Sequence, residues 1–398
     1  MSNNSVNSKI ISIAVLLPLL ASIVAITPLA VDLYLPAMPI IAQHFATSIA
    51  DVQNSLSVYL AGYASGLLLF GPLADKLGRR KLAIFGLTFF SLTSLYLPLA
   101  ETIDQFITLR FIQAFCGSAA TVVVPGIIRQ FYGKDTAKGM SYVSMIMMFA
   151  PMLAPTIGSA IMYVASWQAM FYFLGCYGFV ILVATILKLP EMERKKQSNL
   201  EHISFFGNYK IVLFEREARK YILTSMLVSL AFFAYLTAIP FVYLEVYQTG
   251  EFVFSFLFGI NVVALMMAQL INTRFVGKIG SQRMLILALY MALFSALCLV
   301  SVNILELSLF WTVITILPLM GSISLIAVNS DSLILITFEN QTGTATAVIG
   351  TLRFGIGALA GPILAYYHND TALPFTVLML TSIILVGLSQ FSNLTHKK

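Results

Sequence analysis

At 398 residues, with 59% hydrophobic and only 10% charged side chains, the chain departs sharply from a soluble protein of its length. Soluble domains carry about 25% charged residues, and a water-facing surface cannot be built from so few. The net charge of +6 does not point to nucleic acid, because the basic residues sit in short loops and form no basic domain.

Apolar runs recur along the whole chain, each long enough to cross the roughly 30 Å hydrocarbon core. Lipid offers no hydrogen-bond partners, so such runs must be helices that satisfy their own backbone. In chain order the expected spans are 10–36, 50–71, 81–100, 104–128, 139–163, 167–189, 220–245, 252–272, 283–303, 307–335, 343–367 and 372–393. The first is too long for a signal-peptide core and no small-residue cleavage site follows it, so it is expected to stay in the protein. Cys116, Cys176 and Cys298 fall inside spans without metal or redox spacing and read as small core hydrophobes.

An even number of spans puts both termini on one side. All but two of the 23 Lys and Arg residues then fall in the loops and termini of that side. By the positive-inside rule that side is cytoplasmic, which implies a multi-pass protein of a bacterial cytoplasmic membrane with both termini inside. The exceptions are Arg110 and Arg353, both within spans, where an arginine costs on the order of 2.5–3.5 kcal/mol at mid-bilayer and needs a cavity or a partner.

The 190–219 stretch is the longest polar segment and divides the spans six and six. Lys76-Leu77-Gly78-Arg79-Arg80 after the second span is echoed by Lys278-Ile279-Gly280-Ser281-Gln282-Arg283 after the eighth, 202 residues later. The fold class expected is therefore an all-α membrane protein of twelve transmembrane helices in two pseudo-symmetric six-helix bundles. The boundaries expected are 1–190 for the first bundle, 191–219 for a cytoplasmic linker and 220–398 for the second.

These residues carry a family pattern. Gly71-Pro72-Leu73-Ala74-Asp75-Lys76-Leu77-Gly78-Arg79-Arg80-Lys81 resembles the loop motif of the major facilitator superfamily. Val31-Asp32-Leu33-Tyr34-Leu35-Pro36-Ala37-Met38-Pro39 is similar to the end of the first span in Bcr/CflA-type drug:proton antiporters. Leu109-Arg110-Phe111-Ile112-Gln113-Ala114 with Gly117 resembles the fourth-span motif. Ala150-Pro151-Met152-Leu153-Ala154-Pro155 with Gly158 resembles the fifth-span antiporter motif, and Gly343 through Gly357, with Arg353, also looks Bcr-like. Ser159 stands where the motif usually carries a second glycine, which implies looser packing there. The resemblance implies proton-driven export, powered by the proton gradient without a cofactor, by a monomer in lipid.

Asp32 is the candidate proton site, about four residues or roughly 6 Å inside the outer end of the first span. Desolvation favours a neutral carboxyl and a nearby cation favours a charged one, so a carboxylate exposed alternately to two sides can load and unload a proton. The other reading is an interfacial Asp capping a helix break before Pro36. Arg110 lies at similar depth with Gln113 and Gly117 on its helical face; it either lines the cavity or forms a static pair with Asp32. Asp75, Gly78, Arg79 and Arg80 are the expected conformational latch, and Gly117, Pro151, Pro155 and Gly158 the helix-packing set. Tyr34, Tyr59, Tyr63, Gln113, Met145, Met148, Phe232, Tyr235 and Arg353 are candidate substrate contacts, because methionine and aromatic side chains suit promiscuous binding. No acid can be assigned to Arg353, which is either structural or a substrate contact, while Asp331 reads as interfacial. None of the four histidines falls well inside a span, which argues against a histidine relay.

Other functions leave marks that are missing here. A nucleotide-driven pump needs a GxxxxGK[ST] loop, an intramembrane metalloprotease needs HExxH, and a channel needs a filter-like loop. A secondary transporter remains, exporting either small hydrophobic or amphipathic compounds or one specific metabolite, amino acid or siderophore.

Overall fold

The computed structural model describes residues 13–132, 143, 149–190, 212, 214–338 and 342–391. Among them the chain is helical almost throughout. The first span is a broken rod: α1 (Ile13–Asp32), a 3-10 turn (Leu35–Ala37) and α2 (Met38–His44). Then come α3 (Ile49–Leu77), α4 (Arg79–Tyr96), α5 (Ile103–Thr121) with its short continuation α6 (Val124–Tyr132), α7 (Phe149–Val164) and α8 (Gln168–Lys188). The second half holds α9 (Arg216–Phe241), α10 (Glu251–Ile279), α11 (Ser281–Ile304), α12 (Leu309–Thr337), α13 (Thr342–Gly357) with α14 (Ala360–Tyr366), and α15 (Leu373–Phe391). Eleven of these helical stretches are long and apolar enough to cross a membrane, and α7 is a shorter apolar helix. Large apolar side chains such as Val180, Phe294 and Leu388 are exposed around the bundle, as a lipid-facing surface requires.

Two expected boundaries move. The first span continues to His44 instead of ending at 36. Pro36 and Pro39 do not end it because each sits in the first positions of a new helical segment, where a missing N–H costs nothing. Asp32 therefore lies about twelve residues, roughly 18 Å, from the His44 end of the span, far deeper than four residues. The seventh span starts at Arg216, four residues into the expected linker, since charged side chains are tolerated where a helix leaves lipid.

Small residues set the packing inside the first half. Gly62 and Gly66 of α3 lie one turn apart against α5. A Cβ on Gly62 would come 2.5 Å from the Phe111 carbonyl oxygen, and one on Gly66 would meet Ser118 and, at 2.6 Å, the Phe115 carbonyl oxygen. Such spacing lets two membrane helices approach backbone to backbone. Gly78 and Gly280 end the second and eighth spans with nearly the same backbone, φ +96° and ψ 134° against φ +85° and ψ 148°. Glycine is needed because other residues rarely adopt this conformation. The repeat in sequence is thus a repeat in structure.

The halves meet along α3 with α13 and α7 with α10. The hydrogen bonds that cross between them, among the described residues, lie at one end. Ser159 Oγ is 2.6 Å from Ser255 Oγ and donates toward the Glu251 carbonyl at 3.3 Å, and Ser255 donates to the Pro155 carbonyl at 3.1 Å. The Gly361 amide donates to Ser57 Oγ at 2.9 Å. All lie toward the end opposite Gly78 and Gly280, so the bundle is closed on that side. Ser159 does not loosen α7; its hydroxyl ties the two halves together.

Gly66→Ala should destabilise the protein by roughly 1–3 kcal/mol, because Ser118 and the α5 backbone leave no room for a methyl group. Gly259→Ala, whose Cβ would meet nothing within 4 Å, should be neutral or stabilising by up to about 1 kcal/mol. Thermal unfolding in detergent distinguishes the two; equal midpoints would remove the close α3–α5 contact as a stability determinant.

Candidate functional site

The break after α1 leaves the last carbonyls of that helix without helical donors. Arg110 of α5 fills part of this gap. Its side chain is wholly buried, with Nη2 donating to the Ala30 carbonyl at 2.9 Å and Nη1 to Oε1 of Gln113 at 2.6 Å. The guanidinium carbon lies 4.3 Å from the Tyr59 ring centre and 4.5 Å from that of Tyr34. Such cation–π contacts contribute roughly 0.5–2 kcal/mol each, more where water is absent. Gln113 passes the network on by donating to Ser94 Oγ at 2.7 Å, which donates to the Phe90 carbonyl at 2.6 Å. Tyr34 is fixed in turn by Ser55, 3.1 Å from its hydroxyl. One buried cation thereby joins α1, α3, α4 and α5.

Asp32, the last residue of α1, is 3% exposed, and its Oδ1 is buried without a hydrogen-bond partner. Among the described residues no ion pair joins it to Arg110; the arginine holds the backbone two residues earlier. Across the interface, the Tyr235 hydroxyl on α9 is also buried and unpartnered, and lies close enough to Asp32 for the two to interact electrostatically. Both stand about eleven or twelve residues, roughly 16–18 Å, from the His44 and Val246 ends of their spans. A carboxylate and a phenol without hydrogen-bond partners, one from each half, therefore lie at similar depth near mid-bilayer.

The other candidates divide. Gln113, Tyr34 and Tyr59 are almost wholly buried and are committed to the guanidinium, so they do not line open space; a buried cation recruits amide oxygens and ring faces from whatever surrounds it. Tyr63 bonds Thr121 at 2.8 Å and packs its ring 4.5 Å from Phe354 of α13, across the halves. Phe232 is half-buried and meets Phe233 edge-on, their ring centres 5.4 Å apart. Met145 and Met148 lie outside the described residues, as does the Asp75 side chain.

Gly158 receives the Leu33 carbonyl and Pro36 at the break, so a side chain there would push α7 off the first span. Gly117 has Phe90 at 3.0 Å from where a Cβ would stand. Pro155 is buried within α7, and its carbonyl takes the Ser255 hydroxyl; Pro151, a turn earlier, is half-buried. Arg79 donates to the Gly126 carbonyl at 2.7 Å and Arg80 to the Ile186 carbonyl at 2.7 Å. The loop arginines therefore hold α6 and α8 beside α4, within the first half.

Arg353 does have an acid. Its Nη1 is 2.9 Å from Oδ2 of Asp331, and its Nε donates to Ser225 Oγ at 2.8 Å, while Ser225 donates to Oδ1 of Asp331 at 3.2 Å. Asp331 is thus not merely interfacial. The expectation failed because it measured each residue from its own helix end, and α12 and α13 run in opposite directions.

The profile of the Major Facilitator Superfamily matches residues 20–362. The chain belongs to the major facilitator superfamily. It is 30% identical over 366 residues to a bicyclomycin resistance protein homolog of Haemophilus influenzae, covering 92% of each chain. It is 26% identical over 396 residues to a chloramphenicol resistance protein of Pseudomonas aeruginosa, covering 96% of this chain and 91% of that one. Among solved structures, the xylose transporter XylE from E. coli, in a partially occluded inward open conformation, superposes with a TM-score of 0.72 at 14% identity, over 96% of this chain and 98% of that one. That last likeness speaks for the fold alone. The protein is a multi-pass secondary transporter and not an enzyme; the first-span motif of the Bcr/CflA group falls on the break, and the fourth-span motif on its arginine.

Arg110→Lys should abolish transport, because an ammonium cannot reach Ala30 and Gln113 in the same plane or lie flat against two rings. Tyr59→Phe should keep the thermal midpoint close to that of the native chain, whereas Tyr59→Leu should lower stability by roughly 1–2 kcal/mol. Comparison of the two variants by thermal unfolding separates the ring face from the hydroxyl; equal losses would argue against the cation–π contact.

Proposed function

We propose that the protein is a proton-coupled exporter of small hydrophobic or amphipathic compounds, a multidrug antiporter working by alternating access. The observation that carries this reading is Asp32: an acid buried near mid-bilayer, at a helix break, with one oxygen unpartnered. A charged carboxylate so placed is costly, and a permanently neutral one would serve no purpose that a leucine could not serve better. Changing protonation in step with access gives it one.

The cycle follows from the charges. In the state described, the end away from the basic loops is closed, and Asp32 lies at a depth similar to that of Tyr235 in the opposite half. Asp32 takes a proton when the site opens to the acidic exterior. A neutral carboxyl allows the halves to close over it and reopen inward, where the proton is released and substrate is taken up. Arg110 stays positive throughout and makes release easier, since its charge lies beside the same helix end. The basic side is cytoplasmic in this reading, both termini are inside, and the protein sits as a monomer in a bacterial cytoplasmic membrane. The proton gradient supplies the energy and no cofactor or nucleic acid takes part. The drug-resistance names of two relatives support the substrate class, while export of one metabolite, amino acid or siderophore remains an outcome the same assay would reveal.

Asp32→Asn should insert and fold yet lose efflux driven by a pH gradient in inverted vesicles, while substrate–substrate exchange continues because Asn resembles the neutral acid. The gradient must be acidic on the side that corresponds to the exterior, and efflux should stop when a protonophore collapses it. Gradient-driven transport by Asp32→Asn at the native rate would remove Asp32 from the coupling step.

A further inference from the structure

The first half buries its cation away from solvent; the second half does not. Arg353 and Asp331 are 25% and 29% exposed at their side chains. The helices that carry the cluster are α9, α12 and α13, and α13 faces the other half, with Phe354 against Tyr63 and Gly350 3.5 Å from Leu67. Arg353 therefore stands on a helix that packs against the other half, and the pair keeps part of its surface exposed. Arg353 spends Nη1 on Asp331 and Nε on Ser225, and Nη2 makes no hydrogen bond among the described residues. A guanidinium edge with free N–H donors, held in place by two partners, has the geometry that accepts a carboxylate. On α9, Ser225, Ser229 and Phe232 follow at helical spacing on one face, and Phe232 is half-buried, so apolar surface continues about two turns away.

We propose that Arg353 is an anion subsite of the transport cavity, taking the carboxylate of an amphipathic, aromatic acid whose apolar body lies toward Phe232. Asp331 acts as an internal counter-ion: it keeps the arginine neutralised when the subsite is empty, so that neutral compounds still pass, and it competes with the incoming carboxylate. This assigns an acidic class to the substrates of the exporter and rests on that reading for transport, but binding at the subsite needs no proton gradient.

The test uses the full chain in detergent and two probes of nearly equal shape, 2-naphthoate and its neutral amide, 2-naphthamide. The readout is the ratio of the two affinities from equilibrium dialysis. Asp331→Asn should raise the preference for the carboxylate about ten-fold, or about 1.4 kcal/mol, since it frees the arginine donor that Asp331 holds. Arg353→Gln should lower the preference by a similar factor, and Arg353→Lys should restore most of it. An unchanged ratio in both Asp331→Asn and Arg353→Gln would overturn the proposal, and so would a lower ratio in Asp331→Asn, which alone decides the matter if Arg353→Gln does not fold. Because no gradient is present, a failure of proton coupling at Asp32 leaves this result untouched, and a failure here leaves the coupling assay untouched.

Discussion

A guanidinium buried without a carboxylate is the constraint around which the first half is arranged. Removing one unpaired charge from water costs several kcal/mol even after relaxation. Arg110 offsets that cost with neutral groups: a backbone carbonyl exposed by the break in the first span, an amide oxygen, and two tyrosine faces. Each belongs to a different part of the structure. The break must be present to free the Ala30 carbonyl, Gln113 must be oriented by Ser94, and Tyr34 must be held by Ser55. A shift of α1 against α5 would cost the arginine its carbonyl, so the network makes these helices one body.

That rigidity sets the condition under which Asp32 works. The acid sits two residues beyond the carbonyl that Arg110 holds, so its backbone is anchored while its side chain is left without a hydrogen-bond donor. A direct ion pair would have locked the carboxylate in its charged form. In the proposed cycle, a cation held on the backbone and not on the carboxylate assists proton release without preventing proton uptake.

Much of the fold was legible because membrane constraints act on composition. Lipid demands helices, and Gly78 and Gly280 mark the repeat by a backbone conformation that glycine adopts readily. What escaped was whatever depends on contacts between spans. The length of the first span was misjudged because Pro36 reads as a terminator, although a proline at the start of a new helical turn is harmless. Depth and family resemblance suggest Tyr34 and Tyr59 as cavity residues, and neither says which way a ring faces. Asp331 and Arg353 are separated by a turn and two antiparallel helices, so no local spacing announces their pair. Ser159 looked like a weakened packing position because its partner, Ser255, lies in the other half.

The two halves have thus solved the same problem in opposite ways. The first keeps its cation dry, with no acid, and leaves an acid free to titrate. The second gives its cation an acid and leaves both partly wet. An ion pair that is exposed on one side can exchange a partner at modest cost, because water and substrate compete for the same donors. A buried cation held by carbonyl and ring faces cannot. The asymmetry fits the roles proposed for Asp32 and Arg353: a cation that cannot exchange partners stands beside the proposed proton site, and one that can stands at the proposed anion subsite. Pseudo-symmetry in the backbone gives both halves one architecture, and the electrostatic arrangement of each half sets them apart.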